Sequence, residues 1–501
     1  MRRPRQPVPA VRPGPPGCYA ELLQGAPEAV RERADPAAEF PYTERHLRCV
    51  WADPAYRPAA LRTTDGQMVT VEKPGCWNLE PGPDFLDARL LLEPGRRRVS
   101  GDVEIHIRPA DWLRHGHRDD RRYARVVAHV TYFPGALAAG ALPAGAVQIP
   151  LREALRADPA FSFESLDLTA YPHAVIAPAP PCAAVLAACP AETRAAVLEA
   201  AGAERLRQKA ARFSAAIREQ GAEQALYAET LAALGYKQNR LPFRRLAAVL
   251  PFSVLREESA GDILRAYALL CGVSGLLPAR AQAAWPTETK QFVRQLWDHW
   301  WKCQDRWSAT GGLALPATAW TLAGLRPANS PLRRLMAAAE LFGGPQPLAE
   351  WLTTAPDPLS AAWVRLALRR LQQAGRGSFW WRRYTWSGPP LTKPVALIGA
   401  GRAAALLTNV LVPWLMATGR IAGGATLAAH LPPEDDNSLV RRTAFALFGR
   451  DHNPTLYRSG LRQQGLLQIF HDFCLNACSG CGNCSLADAL RQWQPGAFSG
   501  I

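Results

Sequence analysis

Long apolar runs are missing from this 501-residue sequence, and their absence excludes one class of protein at the outset. No stretch approaches the roughly 18 uninterrupted apolar residues that a membrane-spanning helix needs, so we expect no membrane partner. The N-terminal residues 1–4 are basic but lead into no apolar segment, so the sequence predicts no secretory signal. The 11 cysteines are therefore expected in a reducing, cytoplasmic environment.

Acidic residues are fewer than basic residues in this sequence. Lys and Arg number 58 against 43 Asp and Glu, which gives a net charge of +15. A basic balance favours polyanionic partners such as nucleic acid. The same excess of arginine can follow from a GC-rich genome, so the charge indicates a partner only in combination with a site.

Composition and periodicity divide the chain into five segments. Residues 1–40 are rich in Pro and Arg and predict a disordered lead-in. Mixed apolar patterns predict an α/β domain over 41–160, and an Ala/Pro-rich linker follows over 161–190. Helical patterns continue over 191–375 and 376–501, the second ending in a cysteine-rich tail. The expected fold is thus an α/β domain with a mixed sheet, followed by a large, mainly α-helical region.

The most distinctive polar pattern lies on a predicted β-hairpin with its turn at Pro94-Gly95. On the return strand, Glu104 and His106 alternate with apolar residues and therefore share one face. Pairing about this turn joins positions whose numbers sum to about 189, so Asp84 should lie beside Glu104 unless the register slips. We expect the two carboxylates within about 6 Å of each other, close enough to share one hard cation such as Mg²⁺. A polar, solvated hairpin face is the alternative.

Histidines are concentrated in and after this hairpin, with four of the chain's ten falling within residues 106–129. His115 and His117 form a His-x-His pair, which can offer two imidazoles to one metal. They also lie in a basic loop with Arg118 and Asp120, where all four side chains could contact an anionic substrate. Metal ligation and substrate contact both stay open.

These motifs resemble a bacterial family catalogued as domain of unknown function 2851. The resemblance covers about residues 42–490 and implies no established activity. It rests on Gly82-Pro83-Asp84-Phe85, on Gly101-Asp102-Val103-Glu104-Ile105-His106-Ile107, on the Asp-Trp and His-x-His motifs that follow, on residues 235–239 and 325–331, and on the cysteine-rich tail.

Asp84 followed by Glu104-x-His106 also resembles the core of PD-(D/E)XK nucleases. This resemblance implies a restriction-endonuclease-like mixed sheet and hydrolysis of phosphodiesters with Mg²⁺. Asp84 and Glu104 would hold the ion, His106 would assist the attacking water, and Glu44 would add a carboxylate from the first helix. The sequence departs from that pattern because His106 stands where those nucleases have lysine. A largely neutral imidazole cannot supply a fixed positive charge.

The C-terminal tail places Cys474, Cys478, Cys481 and Cys484 within 11 residues. Four thiols so close in a cytoplasmic chain predict a metal site of structural role. Zinc sites usually use two cysteine pairs separated by a longer loop, whereas the tight Cys-x2-Cys-x2-Cys spacing is typical of iron–sulfur ligation. Zn²⁺ and an iron–sulfur cluster both stay open.

The helical region contributes a second set of candidates around residues 325–335. Arg326 and Asn329 are expected to contact substrate. Arg333 and Arg334 lie one turn into a predicted helix, where they are expected to contact an anion or an acidic side chain.

Together these patterns favour a metal-dependent, nuclease-like protein that hydrolyses phosphodiesters. One alternative is a non-catalytic nucleic-acid-binding or scaffold protein with a degenerate nuclease fold. Another is a hydrolase that uses its histidine cluster to hold a metal and acts on a different substrate. The sequence leaves protein partners and oligomeric state open.

Overall fold

The chain forms two compact units, each with its own core. The α/β unit comprises residues 19–197, 438–456 and 466–492, and the helical unit comprises residues 198–437 and 457–465. The computed structural model describes residues 19, 40–80, 82–173, 180–309, 314–357, 359–422, 430–434, 438–449, 452–475 and 481–492.

A seven-stranded mixed sheet forms the α/β unit. Its strands are β1 (Leu61–Arg62), β2 (Met68–Lys73), β3 (Cys76–Trp77), β4 (Phe85–Glu93), β5 (Arg97–His106), β6 (Val126–Thr131) and β7 (Val147–Pro150). The strand order is β1-β2-β4-β5-β6-β7, and β3 pairs with β4. Pairing is antiparallel from β1 to β5 and parallel from β5 through β6 to β7. The expected mixed sheet is confirmed.

The helices are short in the α/β unit and longer in the helical unit. In chain order they are α1 (Glu44–Ala52), α2 (Asp111–Arg114), α3 (Arg152–Arg156), α4 (Pro181–Ala188), α5 (Ala191–Gln220), α6 (Ala222–Leu234), α7 (Arg240–Val249), α8 (Phe252–Ser259), α9 (Ile263–Val273), α10 (Thr287–Ala309), α11 (Pro331–Ala338), α12 (Leu348–Leu352), α13 (Ala361–Gln373), α14 (Ala400–Leu406), α15 (Val412–Ala417), α16 (Ser438–Phe448), α17 (Gly460–Ile469) and α18 (Leu486–Gln492). The expected mainly helical region after the sheet is confirmed.

The β4–β5 hairpin has the expected register. Ala88 pairs with Gly101, and an irregularity nearer the start of β4 brings Phe85 opposite Val103. On the other side of β5, the parallel strand β6 approaches very closely at Gly101. A Cβ atom there would lie 2.5 Å from a side-chain carbon of Val127 and from the backbone oxygen of Arg125. Glycine at this position therefore allows β5 and β6 to pair.

The sheet curls until its two end strands meet. β1 lies beside β7, and the amide of Thr64, just after β1, donates to the carbonyl oxygen of Gln148 on β7 at 2.9 Å. The α/β unit is consequently nearly barrel-like.

Helix α1 packs its apolar side against this sheet. Leu47, Val50 and Trp51 are fully buried, as the spacing of apolar residues predicts. The helix begins after Thr43, whose amide donates to the Nδ1 atom of His46 at 3.2 Å. Packing of α1 against β5 brings its first two turns to the polar end of that strand.

The C-terminal segments join the α/β unit because they contribute to its core. Ala446, Phe470 and Leu475 are buried with the apolar residues of the sheet. This grouping differs from the sequence-based division, which placed residues 376–501 in one helical region.

In the helical unit, two buried arginines take a role that the sequence did not indicate. Arg333 is fully buried and donates from its Nη atoms to the carbonyl oxygens of Trp380, Arg383 (2.6 Å), Val395 (2.8 Å) and Ala396 (3.2 Å). Burial lowers its pKa to about 10. Arg333 contacts carbonyl groups in place of the expected acidic side chain. Among the residues that are described, no carboxylate forms an ion pair with Arg333.

Arg334, its neighbour in the chain, is likewise buried. It donates to the carbonyl oxygen of Leu397, to the hydroxyl of Tyr236 (2.8 Å) and to Oδ1 of Asn329 (2.8 Å). Backbone carbonyls and neutral side chains thus accept from the Nη atoms of both guanidinium groups, whereas both Nε atoms are buried without a hydrogen-bond partner in the described chain.

One helical stretch in the described chain, Ala400–Ala417, has the length and apolar composition needed to cross a membrane, and 72% of it is buried. A single stretch of this kind indicates little, because the buried core helix of a globular protein passes the same test.

Candidate metal centre

His106, the last residue of β5, lies at the centre of a chain of imidazoles. Its side chain is only 1% exposed. Its Nδ1 atom lies 2.9 Å from Nε2 of His129, which β6 places alongside β5. Its Nε2 atom lies 3.2 Å from Nδ1 of His115. Two adjacent parallel strands and the loop between them therefore bring three histidines into hydrogen-bond distance.

The loop after α2 folds back toward β5. Gly116 adopts φ +73°, a left-handed conformation that glycine accepts without steric cost. This turn directs both His115 and His117 toward His106. The ring of His117 also stacks on Tyr123, with 3.9 Å between ring centres. Both members of the His-x-His pair are thereby held near one point.

The donor atoms have the spacing of a metal site. His106, His115 and His117 each offer a ring nitrogen, and the three nitrogens lie within 4.8 Å of one another. Oε1 of Glu104 lies 3.5 Å from Nε2 of His106 and 3.2 Å from Nε2 of His117. Tetrahedral coordination at about 2.0–2.1 Å places donors about 3.3 Å apart. The three histidines therefore fit one small transition-metal ion, and Oε1 of Glu104 lies beside that position.

The imidazoles are held in the neutral form that binds metals. Burial lowers the pKa of His106 well below its usual value. Burial also lowers the pKa of His117 to about 4 and that of His129 to about 3. A neutral imidazole presents a lone pair, so no proton has to be displaced at neutral pH.

Two of these ring nitrogens are buried without a hydrogen-bond partner among the residues described. They are Nε2 of His117 and Nδ1 of His129. Although Nε2 of His117 lies near Glu104, the angles do not make a hydrogen bond. Buried polar atoms nearly always have partners, so a vacant nitrogen that faces a carboxylate indicates room for a ligand.

Asp84 and Glu104 are adjacent, as the hairpin register requires. The amide of Asp84 donates to Oε2 of Glu104 at 3.0 Å, and Oδ2 of Asp84 accepts from the amide of Ile105 at 3.0 Å. Oδ1 of Asp84 forms an ion pair with Nε of Arg48 at 2.7 Å. Each oxygen of Asp84 therefore has a protein partner, whereas Oε1 of Glu104 faces the imidazoles.

Glu44 reaches this group through Arg48. The Nη2 atom of Arg48 lies 3.6 Å from Oε2 of Glu44, one helical turn earlier on α1. The sequence predicted the carboxylate but not the arginine between it and Asp84. The spacing of four residues between Glu44 and Arg48 was the available signal, since residues four apart on a helix are neighbours.

A model of the family described as "Protein of unknown function (DUF2851)" matches residues 44–431. The chain belongs to this family. Among curated proteins and solved structures, no significant match is found. The family resemblance expected from the sequence is confirmed, whereas the nuclease resemblance stays a prediction.

The family match includes the hairpin and the whole histidine cluster. It ends before the C-terminal cysteines, so it covers less of the chain than the resemblance indicated. Cys474 and Cys484 are free thiols in the structure, and Cys481 begins the short helical turn Cys481–Asn483. Cys478 lies outside the described residues.

The other predicted contact residues of the DUF2851 chain are arranged differently. Arg118 is exposed in the loop after His117. Asp120 binds Arg122 through several hydrogen bonds, the shortest 2.6 Å, and these bonds lower the pKa of Asp120. Arg326 and Asn329 belong to the helical unit, where Arg326 is exposed and Asn329 accepts a hydrogen bond from Arg334.

Proposed function

We propose that this protein is a metal-dependent hydrolase that cleaves phosphodiesters, with nucleic acid as its substrate class. The observation that carries the proposal is the convergence of His106, His115 and His117 with a carboxylate oxygen of Glu104. Three protein ligands with a further position open to water are the usual composition of a catalytic metal site.

The donor set favours a borderline transition ion such as Zn²⁺ over Mg²⁺. Imidazole suits zinc, copper, iron and nickel, whereas Mg²⁺ prefers oxygen donors. The Asp84 carboxylate is already engaged by Arg48 and by the amide of Ile105. Binding of Mg²⁺ between Asp84 and Glu104, which the sequence motif predicts, is the competing assignment.

Each side chain then has a distinct role. A bound ion of this type lowers the pKa of its water toward neutrality. Glu104, whose Oε1 atom borders the site, accepts the proton of the attacking water. Asp84 positions Glu104 through its amide, and Arg48 fixes Asp84. His129 holds His106 in the ring orientation that directs Nε2 into the site.

The surroundings favour an anionic substrate. Arg118 and Arg121 are exposed in the loop that carries His117, and neither forms an ion pair in the part of the chain described. Guanidinium groups bind phosphate oxygens in a planar, paired geometry. The chain's net charge of +15 would also attract a polyanion.

The decisive experiment measures metal content and cleavage on the same preparations. Full-length protein would be stripped with a chelator, reloaded with Zn²⁺, Mn²⁺ or Mg²⁺, and incubated with labelled single- and double-stranded DNA and RNA. We expect His115→Ala to lose the transition metal and Glu104→Gln to lower turnover by about 10²–10⁴-fold, as removal of a general base does. Glu153→Gln, at an exposed site on α3, and His299→Ala, in the helical unit, are matched controls.

Three results would overturn this proposal. Activity with Mg²⁺ that survives His115→Ala would restore the Asp84–Glu104 assignment. Metal-dependent hydrolysis of other esters without nucleic-acid cleavage would indicate a different substrate class. Nucleic-acid binding without turnover under every metal would indicate a non-catalytic protein.

A further inference from the structure

A buried cysteine lies at the start of α4, far from the tail in sequence. Cys182 is only 6% exposed and is the second residue of this eight-residue helix. The backbone amides of Cys182 and Ala183 oppose the rise in its pKa that burial causes. Amides at a helix N-terminus stabilise a thiolate, which is the form that binds metals.

Two of the C-terminal cysteines lie next to a helix that packs against α4. Helix α4 packs against both α16 and α18, and the turn immediately before α18 carries Cys481 and Cys484. The amide of Cys484 donates to the carbonyl oxygen of Cys481 at 3.3 Å, which closes that turn. Cys474 ends the helical segment that continues α17. Three separate segments of the α/β unit thus carry the four cysteines, and Cys474 and Cys481 pack against the same apolar core.

The thiols are close enough to influence one another's ionisation. Burial, together with the nearby Cys484 and Cys481, raises the pKa of Cys182 to about 12. Burial and the neighbouring Cys484, Cys182 and Cys481 raise the pKa of Cys474 well above its usual value. Of the surrounding charged groups, Arg442 opposes this rise at Cys474.

We propose that Cys182, Cys474, Cys481 and Cys484 together bind one thiophilic metal centre, either Zn²⁺ or an iron–sulfur cluster. Four thiolates are a common ligand set for both. A bound cation would compensate the negative charge of the four thiolates. The centre would join α4 to the C-terminal tail, so the tail alone would not bind the metal. This proposal is independent of the function proposed for the histidine cluster.

The first experiment uses the unmodified full-length chain, purified without oxygen. Zinc and iron are quantified per chain, and thiols are alkylated with and without prior metal removal, then located by peptide mass spectrometry. We expect one zinc at the cysteines in addition to any at the histidines, or several irons with sulfide, and at least tenfold slower alkylation of Cys182 in the metal-loaded form. Cys189, at the other end of α4, should alkylate equally in both states.

The second experiment compares Cys182→Ser with Cys189→Ser. Cys182→Ser should retain less than about one-fifth of the tail metal, and Cys189→Ser should retain all of it. Circular dichroism and the histidine-bound metal report whether the variant still folds.

Three results would overturn the proposal. One is full metal retention in Cys182→Ser. The second is alkylation of Cys182 at the same rate with and without metal, which is measured on the unmodified chain. A wild-type chain that contains neither zinc nor iron at the cysteines would also exclude the site.

Discussion

The two units bury ionisable side chains in opposite ways. In the helical unit, the Nη atoms of Arg333 are occupied by four carbonyl oxygens. In the α/β unit, His117 and His129 each keep a buried ring nitrogen without a partner in the described chain, and Oε1 of Glu104 faces the imidazoles. A buried group whose partners are already present stabilises a fold, whereas one with a vacant lone pair is available to a ligand. This contrast agrees with a structural role for Arg333 and supports the metal site that we propose at the histidines.

The largest effect should follow from removing the buried arginine. Arg333→Ala would leave several buried carbonyl groups without donors, so we expect the helical unit to lose about 3–5 kcal/mol of unfolding free energy. Denaturant unfolding followed by tryptophan fluorescence measures this loss. The exposed Arg326→Ala is the control and should change stability by less than about 0.5 kcal/mol. Equal losses in both variants would contradict the structural assignment of Arg333.

The second effect concerns pH and the metal-free protein. In the folded protein, burial lowers the pKa of His129 to about 3. In the unfolded chain its pKa is about 6.5, so as the pH falls below this value the unfolded chain takes up a proton at His129 before the folded protein does. The contribution of neutral His129 to the unfolding free energy is complete above pH 6.5 and is lost as the pH falls toward 3. Loss of this contribution should cost roughly 2 kcal/mol of unfolding free energy between pH 6.5 and 4.5. His117, with its pKa lowered to about 4, adds a smaller loss over the same window because it is partly exposed.

Thermal unfolding of chelated protein across this pH range tests the effect. His129→Gln should reduce the pH slope of stability by about one proton, whereas His299→Gln should leave it unchanged. An unaltered slope in His129→Gln would mean that His129 is not held neutral by burial.

A third, smaller effect separates metal ligands from the residue that orients them. His129 contacts His106 but lies outside the group of three candidate ligands. His129→Leu should therefore weaken metal affinity by about 10–100-fold without abolishing it, as loss of an orienting hydrogen bond does. Titration against a competing chelator gives the affinity, with His173→Leu as control. Complete loss of metal would make His129 itself a ligand.

The smallest effect concerns substrate contact. Replacing Arg118 and Arg121 by Ala should lower the dependence of nucleic-acid affinity on salt by about two released counterions. Binding to duplex DNA at several salt concentrations measures this slope. Arg98→Ala is the control, because Arg98 already pairs with Glu72 at 2.9 Å. An unchanged slope in the double variant would place the phosphates elsewhere.

The local features of the site were predictable from sequence. A turn fixes the hairpin register by counting, which is how Asp84 and Glu104 were expected to be neighbours. Clustering of histidines indicated a shared site because His115 and His117 are close to His106 in the chain as well as in space.

The remaining features depend on contacts between distant segments, which periodicity does not encode. The pairing of β5 with β6 sets the contact between His106 and His129. The packing of α1 brings Arg48 to Asp84. Arg333 was expected to contact an anion or an acidic side chain from its place one turn into a predicted helix, and only the packing of α11 shows that carbonyl groups take that place.

The meeting of β1 and β7 affects how these molecules behave at high concentration. An open sheet presents two rows of unpaired amides and carbonyls, onto which strands of neighbouring molecules can add. Here the amide of Thr64 donates to the carbonyl oxygen of Gln148 on the opposite end strand, so these backbone groups at the two sheet edges are already hydrogen-bonded. Intermolecular strand addition, and the fibrous aggregation to which it leads, is therefore blocked where β1 and β7 meet.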